Sequence, residues 1–180
     1  MDLRLNNLPD LVCPLWLIAY RSTVPKLATE LDLITGEGAR TYGGRWNPPG
    51  VAAVYASDSP EVAMAEALAT VRYYRFPVHA FAPRCFVSLS FDLERVVDLT
   101  DGETRRRIGL SRRRMVETDW RTEMAGGAVP LTQLVGQAAA ESGLDGLLVP
   151  SAAKRDGKNV VAFPANFQGS SLVVLAPDKL

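Results

Sequence analysis

Alternating and continuous apolar stretches along the chain predict several β-strands. From Cys85 to Leu93 every odd-numbered residue is apolar, while Ser88, Ser90 and Asp92 occupy even positions. This period of two is typical of a strand with one buried face. Shorter apolar runs predict further strands over residues 15–20, 51–56, 146–149, 160–163 and 172–175.

Helix start and stop signals predict helices between these strands. Ser59, Pro60 and Glu61 form a start signal, because Ser caps free N–H groups, Pro suits the first helical position and Glu favours the positive dipole end. This helix is expected to continue to about Tyr74. Other helices are predicted over residues 103–108, 111–120 and 131–142, the last ended by Gly143. Since helices and strands do not alternate regularly, we predict an α+β fold with a mixed or mostly antiparallel sheet and flanking helices.

The segment over residues 36–50 is predicted to be a loop, because it contains five glycines and two prolines. Its spacing matches neither a Walker loop nor a dinucleotide fingerprint. Glycines still let a backbone approach an anion, Arg40 and Arg45 can grip phosphates, and Tyr42 and Trp46 offer flat faces for a ring. The alternative is a tight loop in which Trp46 fills the core and the arginines are solvated.

Composition and charge favour one ordinary globular domain over residues 1–180. The chain has 180 residues, of which 47% are hydrophobic and 22% charged, so it can bury a core without metals or disulfides. Its 20 basic and 20 acidic residues give no net charge that would steer it to DNA or an anionic membrane. The arginine triplets at 105–107 and 112–114 are interleaved with acidic residues, so we expect no direct contact with nucleic acid.

The cysteine and histidine content excludes several kinds of site. Cys13 and Cys85 are too few for a disulfide scaffold and form no CxxC motif, which favours a reducing compartment. His79 is the only histidine, which argues against histidine metal sites and against Ser–His or Cys–His nucleophiles. The apolar run over residues 11–20 is too short to span a bilayer, and no positive flank precedes it. We therefore expect a cytoplasmic protein that uses carboxylates, arginines and hydroxyls without a metal.

Glu66 is the strongest candidate for a catalytic side chain. It is the only charged residue from Val62 to Val71, in a helix that is apolar on both sides and therefore expected to be buried. A carboxylate there must be paired or functional, because burying it alone is costly. Arg21 and Arg45 are candidate partners, and the alternative is a purely structural ion pair at the helix edge.

Other candidate residues lie at the ends of predicted strands, where side chains reach the mouth of a cleft. Arg21 follows the first strand, Tyr55 and Ser57 lie at the end of the second, and Ser151 follows the apolar run over residues 147–150. Each of these positions is also common for an ordinary surface residue.

Together these segments resemble the RES domain, a family named for its arginine, glutamate and serine positions. The resemblance covers about residues 15–175 and is most specific in the Gly-Gly-Arg-Trp-Asn stretch with the Tyr-x-Ser and Glu that follow it. The matching segments are Tyr-Arg at 20–21, Gly-Gly-Arg-Trp-Asn-Pro-Pro-Gly at 43–50, Val-Tyr-Ala-Ser at 54–57, Ala-Glu-Ala-Leu at 65–68, Val-Pro-Ser at 149–151 and Lys-Asn-Val-Val at 158–161.

The resemblance implies a core similar to that of ADP-ribosyltransferase toxins, with NAD as substrate and no metal. It implies growth arrest through loss of NAD or modification of a target. It also implies an antitoxin partner with an Xre-like DNA-binding region that blocks the active site and represses the operon, with a possible homo-oligomer in the complex. The site residues carried over are Arg21, Arg45, Tyr55, Glu66 and Ser151, with Ser57 and Asn159 at less decisive positions.

In this interpretation Glu66 stabilises the positive charge that develops on the ribose as nicotinamide leaves. Arg21 and Arg45 hold the pyrophosphate, Tyr55 stacks on the nicotinamide or its ribose, and Ser151 binds the nicotinamide side or positions Glu66. The acceptor stays open between water, inorganic phosphate and a protein side chain. A non-catalytic NAD-binding or protein-interaction module and a DNA-binding protein are the competing classes.

Overall fold

The computed structural model contains one β-sheet that closes on itself, and it describes residues 3–77 and 82–176, so His79 lies outside the described residues. The strands are β1 (Val12–Thr23), β2 (Val54–Ser57), β3 (Cys85–Asp98), β4 (Gly146–Pro150), β5 (Lys158–Ala162) and β6 (Ser171–Val174). Their order is β1-β2-β5-β4-β3, and β3 pairs back with β1 to close the ring while β6 adds to β3. The β3–β4 pair is parallel and the other pairs are antiparallel, which confirms the mixed sheet of the predicted α+β fold.

Helices surround this sheet, with the predicted start at Ser59 confirmed. They are α1 (Glu30–Ile34), α2 (Glu37–Tyr42), α3 (Pro60–Tyr73), α4 (Gly102–Ile108), α5 (Arg112–Glu117), α6 (Trp120–Ala125) and α7 (Leu131–Glu141). Ser59 caps α3 by accepting a hydrogen bond from the Val62 N–H at 3.2 Å. Gly143 adopts φ +71° just beyond α7, as expected of a residue that ends a helix.

Two local predictions were wrong. The segment over residues 36–50 is not all loop, because Gly36 at φ +72° and Gly43 at φ +73° bound the short helix α2. The single helix predicted over residues 111–120 is two helices. Thr118 leaves the helical backbone at ψ 117°, and the Asp119 side chain then caps α6 by accepting from the Thr122 N–H.

Two apolar clusters pack on the sheet and hold its strand ends in place. The first joins Trp46, Ile108, Val135, Leu147 and Phe163, and thereby packs α4 and α7 against β4. The second contains the predicted inward face of β3, with Val87, Leu89, Phe91 and Leu93 all buried. The alternation of β3 is therefore confirmed.

Helix α3 is less buried than its apolar pattern predicts. Within it only Val62 and Ala63 are fully buried, whereas Glu66 is half-buried and Tyr73 is 41% exposed. The helix packs against β1 and β2. Glu66 is therefore only partly covered by the rest of the protein.

The arginine triplets are partly engaged in local contacts. Arg105 donates to the Leu99 and Thr100 carbonyls at 2.9 and 2.7 Å. Arg106 pairs with Glu103, and Arg113 pairs with Glu117.

Among the helices of residues 3–77 and 82–176, none has the length and apolar character needed to cross a membrane.

Candidate active site

The carboxylate of Glu66 is held by side chains from the ends of two strands. Its Oε1 atom accepts hydrogen bonds from Ser151 Oγ at 2.6 Å and from Asn159 Nδ2 at 2.8 Å. Ser57 Oγ in turn donates to Asn159 Oδ1 at 2.7 Å. The second oxygen, Oε2, makes no hydrogen bond with any residue that the structure describes. The site therefore presents one fixed and one available carboxylate oxygen.

The direction of these hydrogen bonds follows from the partners of each group. Ser151 Oγ already accepts from the backbone N–H groups of Ala153 and Lys154 at 3.1 and 3.0 Å, so its own proton is directed to Glu66. Asn159 receives the Ser57 hydroxyl on its oxygen, so its NH₂ group faces the carboxylate. Both donors are neutral, so these hydrogen bonds orient the carboxylate without neutralising its charge.

The strand register brings these residues together from distant parts of the sequence. Ser57 at the end of β2 lies opposite Asn159 in β5. Beyond this pair, Asp58 N–H donates to the Lys158 carbonyl at 3.0 Å, and Lys158 N–H donates to Asp58 Oδ2 at 3.1 Å. Because Ser59 starts α3 directly after this junction, Glu66 lies about two helical turns later, above the same strand ends.

Arg45 lies near Glu66 without pairing with it. Its Nη1 atom donates to the Met115 and Thr118 carbonyls, both at 3.0 Å, at the end of α5. Burial lowers the pKa of the Arg45 guanidinium, and the nearby charge of Glu66 opposes this change. This backbone anchor leaves the Nε and Nη2 atoms of Arg45 without partners in the described structure.

Tyr55 fixes the loop that carries Arg45. Its hydroxyl donates to Asn47 Oδ1 at 2.7 Å and accepts from the Trp46 N–H at 2.9 Å, and burial raises the pKa of this phenol. A Cβ atom at Gly44 would lie 2.7 Å from the same hydroxyl, so this position requires glycine. The loop, Tyr55 and Arg45 thus form one rigid unit beside Glu66.

The rest of the glycine-rich segment does not reach the site. Trp46 is 2% exposed and fills the core, as in the alternative interpretation. Arg40 pairs with Glu37 at 2.7 Å, and Tyr42 is 76% exposed. Arg45 is therefore the only candidate of this segment that the structure brings to Glu66.

Arg21 lies at the same end of the sheet, where a backbone carbonyl holds one of its nitrogens. Tyr20 pairs with Ser57, which places Arg21 one residue beyond the Ser57 pair. Its Nη1 atom donates to the Leu33 carbonyl at 3.1 Å, and burial lowers the pKa of the guanidinium while the charge of Asp32 opposes this. Neither Arg21 nor Arg45 forms an ion pair with Glu66 within residues 3–77 and 82–176, although the charge of Glu66 acts on the pKa of Arg45.

Sequence analysis did not identify Arg121 as a candidate. It also ranked Asn159 below the other candidate residues, although Asn159 bonds Glu66 directly. Arg121 Nη2 donates to Thr70 Oγ1 at 3.1 Å, one turn beyond Glu66 on α3. Burial is the main cause of the lowered pKa of Arg45, and the charge of Arg121 lowers it further. The sequence offered one signal for Arg121, namely an adjacent Trp and Arg directly after the helix-capping Asp119. The signal was overlooked because the predicted helix ends at residue 120.

These groups form a site with separated charges. A fixed carboxylate lies beside two arginines, which suits a ligand that carries phosphate groups and develops positive charge elsewhere. In the described ranges, no group of three or more His, Cys, Asp or Glu side chains is arranged to hold a metal ion.

The chain belongs to the RES domain family, whose model matches residues 15–178. The chain is 32% identical over 124 residues to proteins named NAD(+) phosphorylase MbcT from Mycobacterium tuberculosis and Mycobacterium bovis. That alignment covers 67% of this chain, which spans 62% of the length of these curated relatives.

Two further matches agree with the family. A protein named Toxin Res from Yersinia enterocolitica is 53% identical over 38 residues, which are 21% of this chain and 25% of that protein. The crystal structure of the M. tuberculosis MbcT–MbcA toxin–antitoxin complex contains a chain of similar fold, with a TM-score of 0.69 and 26% identity. This match covers 97% of the present chain and 93% of the other. The predicted RES resemblance is confirmed.

Proposed function

We propose that this chain is the toxin of a type II toxin–antitoxin pair and arrests growth by cleaving NAD between nicotinamide and ribose, with inorganic phosphate as acceptor. The observation that carries the proposal is the Glu66 carboxylate, held at one oxygen by Ser151 and Asn159 and free at the other. The activity named for the mycobacterial relatives supports NAD as the substrate and phosphate as the acceptor.

The chemistry follows from the bond that breaks. As the nicotinamide–ribose bond lengthens, its electron pair leaves with nicotinamide and positive charge develops on the ribose. A carboxylate that is already oriented stabilises this charge without reorganising during the reaction. An oxygen of hydrogen phosphate then bonds to the ribose carbon, and the proton stays on the phosphate of the product.

The remaining candidate residues bind the other parts of NAD in this proposal. Arg45 offers Nε and Nη2 to a phosphate oxygen, because Nη1 is held by backbone carbonyls. Arg21 contributes a second pyrophosphate contact with the nitrogens not bonded to Leu33. Tyr55 stacks on the nicotinamide or its ribose, with its hydroxyl fixed by the loop.

The proposal includes a protein partner and a place of action. The solved complex of a similar chain with its antitoxin supports an antitoxin for this chain as well. We assign that partner an Xre-like DNA-binding region and a segment that blocks the Glu66 site, within an assembly that contains more than one toxin copy. NAD is an intracellular nucleotide, so the proposed place of action is the cytoplasm.

The test is a product analysis with the purified chain and NAD. We expect nicotinamide release that requires inorganic phosphate, together with one equivalent of phosphorylated ADP-ribose by mass spectrometry. Release of free ADP-ribose in the absence of phosphate would show that water is the acceptor. Attachment of labelled ADP-ribose to protein would show that a protein side chain is the acceptor. Tight NAD binding with no nicotinamide release under any condition would refute NAD cleavage and favour the non-catalytic module.

A further inference from the structure

Two arginines are held at the junction of α5 and α6. Arg45 reaches the Thr118 carbonyl, and Arg121 follows three residues later at the start of α6. Their closeness is also evident in the contribution of Arg121 to the lowered pKa of Arg45. Like charges repel each other, so an anion bound between the two guanidinium groups would stabilise them.

Neither arginine has a carboxylate partner of its own in the part of the chain that the structure describes. Arg121 is bonded only through Nη2, to a neutral hydroxyl. Its Nε atom is shielded from solvent and has no acceptor. A shielded donor without an acceptor is destabilising, and a ligand oxygen would relieve this after a small shift of the side chain.

Aromatic rings hold Arg121 in this position. Its guanidinium carbon lies 4.4 Å from the centre of the Trp120 ring and 4.9 Å from that of Tyr73. Tyr73 also bonds Thr122 of α6 through its hydroxyl at 3.2 Å, which ties the end of α3 to α6. Stacking restricts the side chain without neutralising it, so the positive charge stays available.

We propose that Arg121 and Arg45 together form a binding site for a phosphate oxyanion next to the Glu66 carboxylate. This inference rests on the proposed function and adds a residue to it. Two sources supply the same chemistry, namely the pyrophosphate of NAD and the inorganic phosphate that attacks the ribose. In either case the nicotinamide bond breaks with its electron pair on nicotinamide, and a phosphate oxygen forms the new bond to the ribose carbon.

Kinetics of Arg121→Gln test the proposal against the matched control Arg72→Gln, which removes an exposed arginine from α3. Arg121→Gln should raise the KM for one phosphate-bearing substrate by about tenfold or more, as expected for loss of a charge-assisted hydrogen bond. Arg121→Lys should recover part of this loss, and Arg72→Gln should leave both KM values unchanged.

The KM value that changes distinguishes the two sources of phosphate. A rise confined to the KM for inorganic phosphate assigns Arg121 to the acceptor, and a rise confined to the KM for NAD assigns it to the pyrophosphate. Folded Arg121 variants with both KM values unchanged would overturn the proposal. A wild-type protein that releases no nicotinamide would instead contradict the proposed function.

A measurement on the unaltered protein does not depend on how the variants fold. Phenylglyoxal modifies accessible arginines, and peptide mass spectrometry reports the rate at Arg121 and at Arg72 separately. Inorganic phosphate, inorganic pyrophosphate or NAD should slow modification of Arg121 but not of Arg72. Equal rates at Arg121 with and without all three compounds would refute a phosphate site there, whatever the activity.

Discussion

Replacing Glu66 with Gln removes the charge of the proposed catalytic carboxylate and little else. Gln keeps a carbonyl oxygen that can accept the hydrogen bonds which Ser151 and Asn159 now make at 2.6 and 2.8 Å. The amide NH₂ replaces Oε2, which has no partner among the described residues. The variant should therefore fold normally and test the role of the charge alone.

The expected loss follows from the electrostatics of the site. A carboxylate about 4 Å from a unit positive charge is worth about 4 kcal/mol at an effective dielectric constant of about 20. Glu66 is half-buried and the ribose charge is partial, so we expect about 2.7 kcal/mol of this to act in the transition state. That corresponds to about a 100-fold fall in kcat. The affinity for NAD should change little, because the charge develops only during the reaction.

Nicotinamide release under saturating NAD and phosphate measures kcat, and titration calorimetry measures NAD affinity. The matched control is Glu61→Gln, which removes an exposed carboxylate from the first turn of the same helix. This control should retain wild-type kcat. Circular dichroism of both variants establishes that α3 is intact.

Two results would refute this reasoning. A Glu66→Gln protein with wild-type kcat would show that the carboxylate charge has no role in the chemical step. A variant with normal kcat but much weaker NAD binding would make Glu66 a ground-state binding residue, since its effect would then precede the reaction.

Other perturbations test the geometry of the site and its support. Asn159→Leu removes one of the two donors that orient Glu66, so kcat for nicotinamide release should fall by about tenfold, as expected for one hydrogen bond to a charged group. Tyr55→Phe should lower the unfolding free energy in urea by about 1–3 kcal/mol, because two loop groups lose their partner. The raised pKa of folded Tyr55 also means that wild-type stability falls above pH 10, where the unfolded phenol ionises first, and Tyr55→Phe should lack this decline. Gly136→Ala would place a Cβ atom 1.6 Å from a carbonyl oxygen of the glycine-rich loop and should destabilise by about 1–3 kcal/mol or more. Gly38→Ala meets no atom within 4 Å in α2 and should instead stabilise by about 0.5–1 kcal/mol in the same urea titration.

The local signals were sufficient for the elements that depend on neighbouring residues. Ser59 starts α3 because its own side chain satisfies an N–H group three residues away. Glu66 stood out because a single charge in an apolar helix needs a reason to be there, and the structure supplies one through its hydrogen bonds to strand residues.

The features that sequence analysis missed or ranked low depend on contacts that local sequence patterns do not reveal. Asn159 reaches Glu66 because β2 and β5 are neighbours, although Ser57 and Asn159 are 102 residues apart in sequence. No local pattern fixes such a register. Arg121 was missed for a related reason: the break at Thr118 that creates α6 is visible only in the backbone.

The way in which the carboxylate is held agrees with the proposal that the site binds NAD. If Arg45 had paired directly with Glu66, the two charges would have neutralised each other, and a ligand would have had to break that pair. Instead, neutral donors from Ser151 and Asn159 orient the carboxylate, and backbone carbonyls at the end of α5 orient the guanidinium. The negative and positive charges stay close but separate, as the nicotinamide ribose and the pyrophosphate of the proposed substrate require.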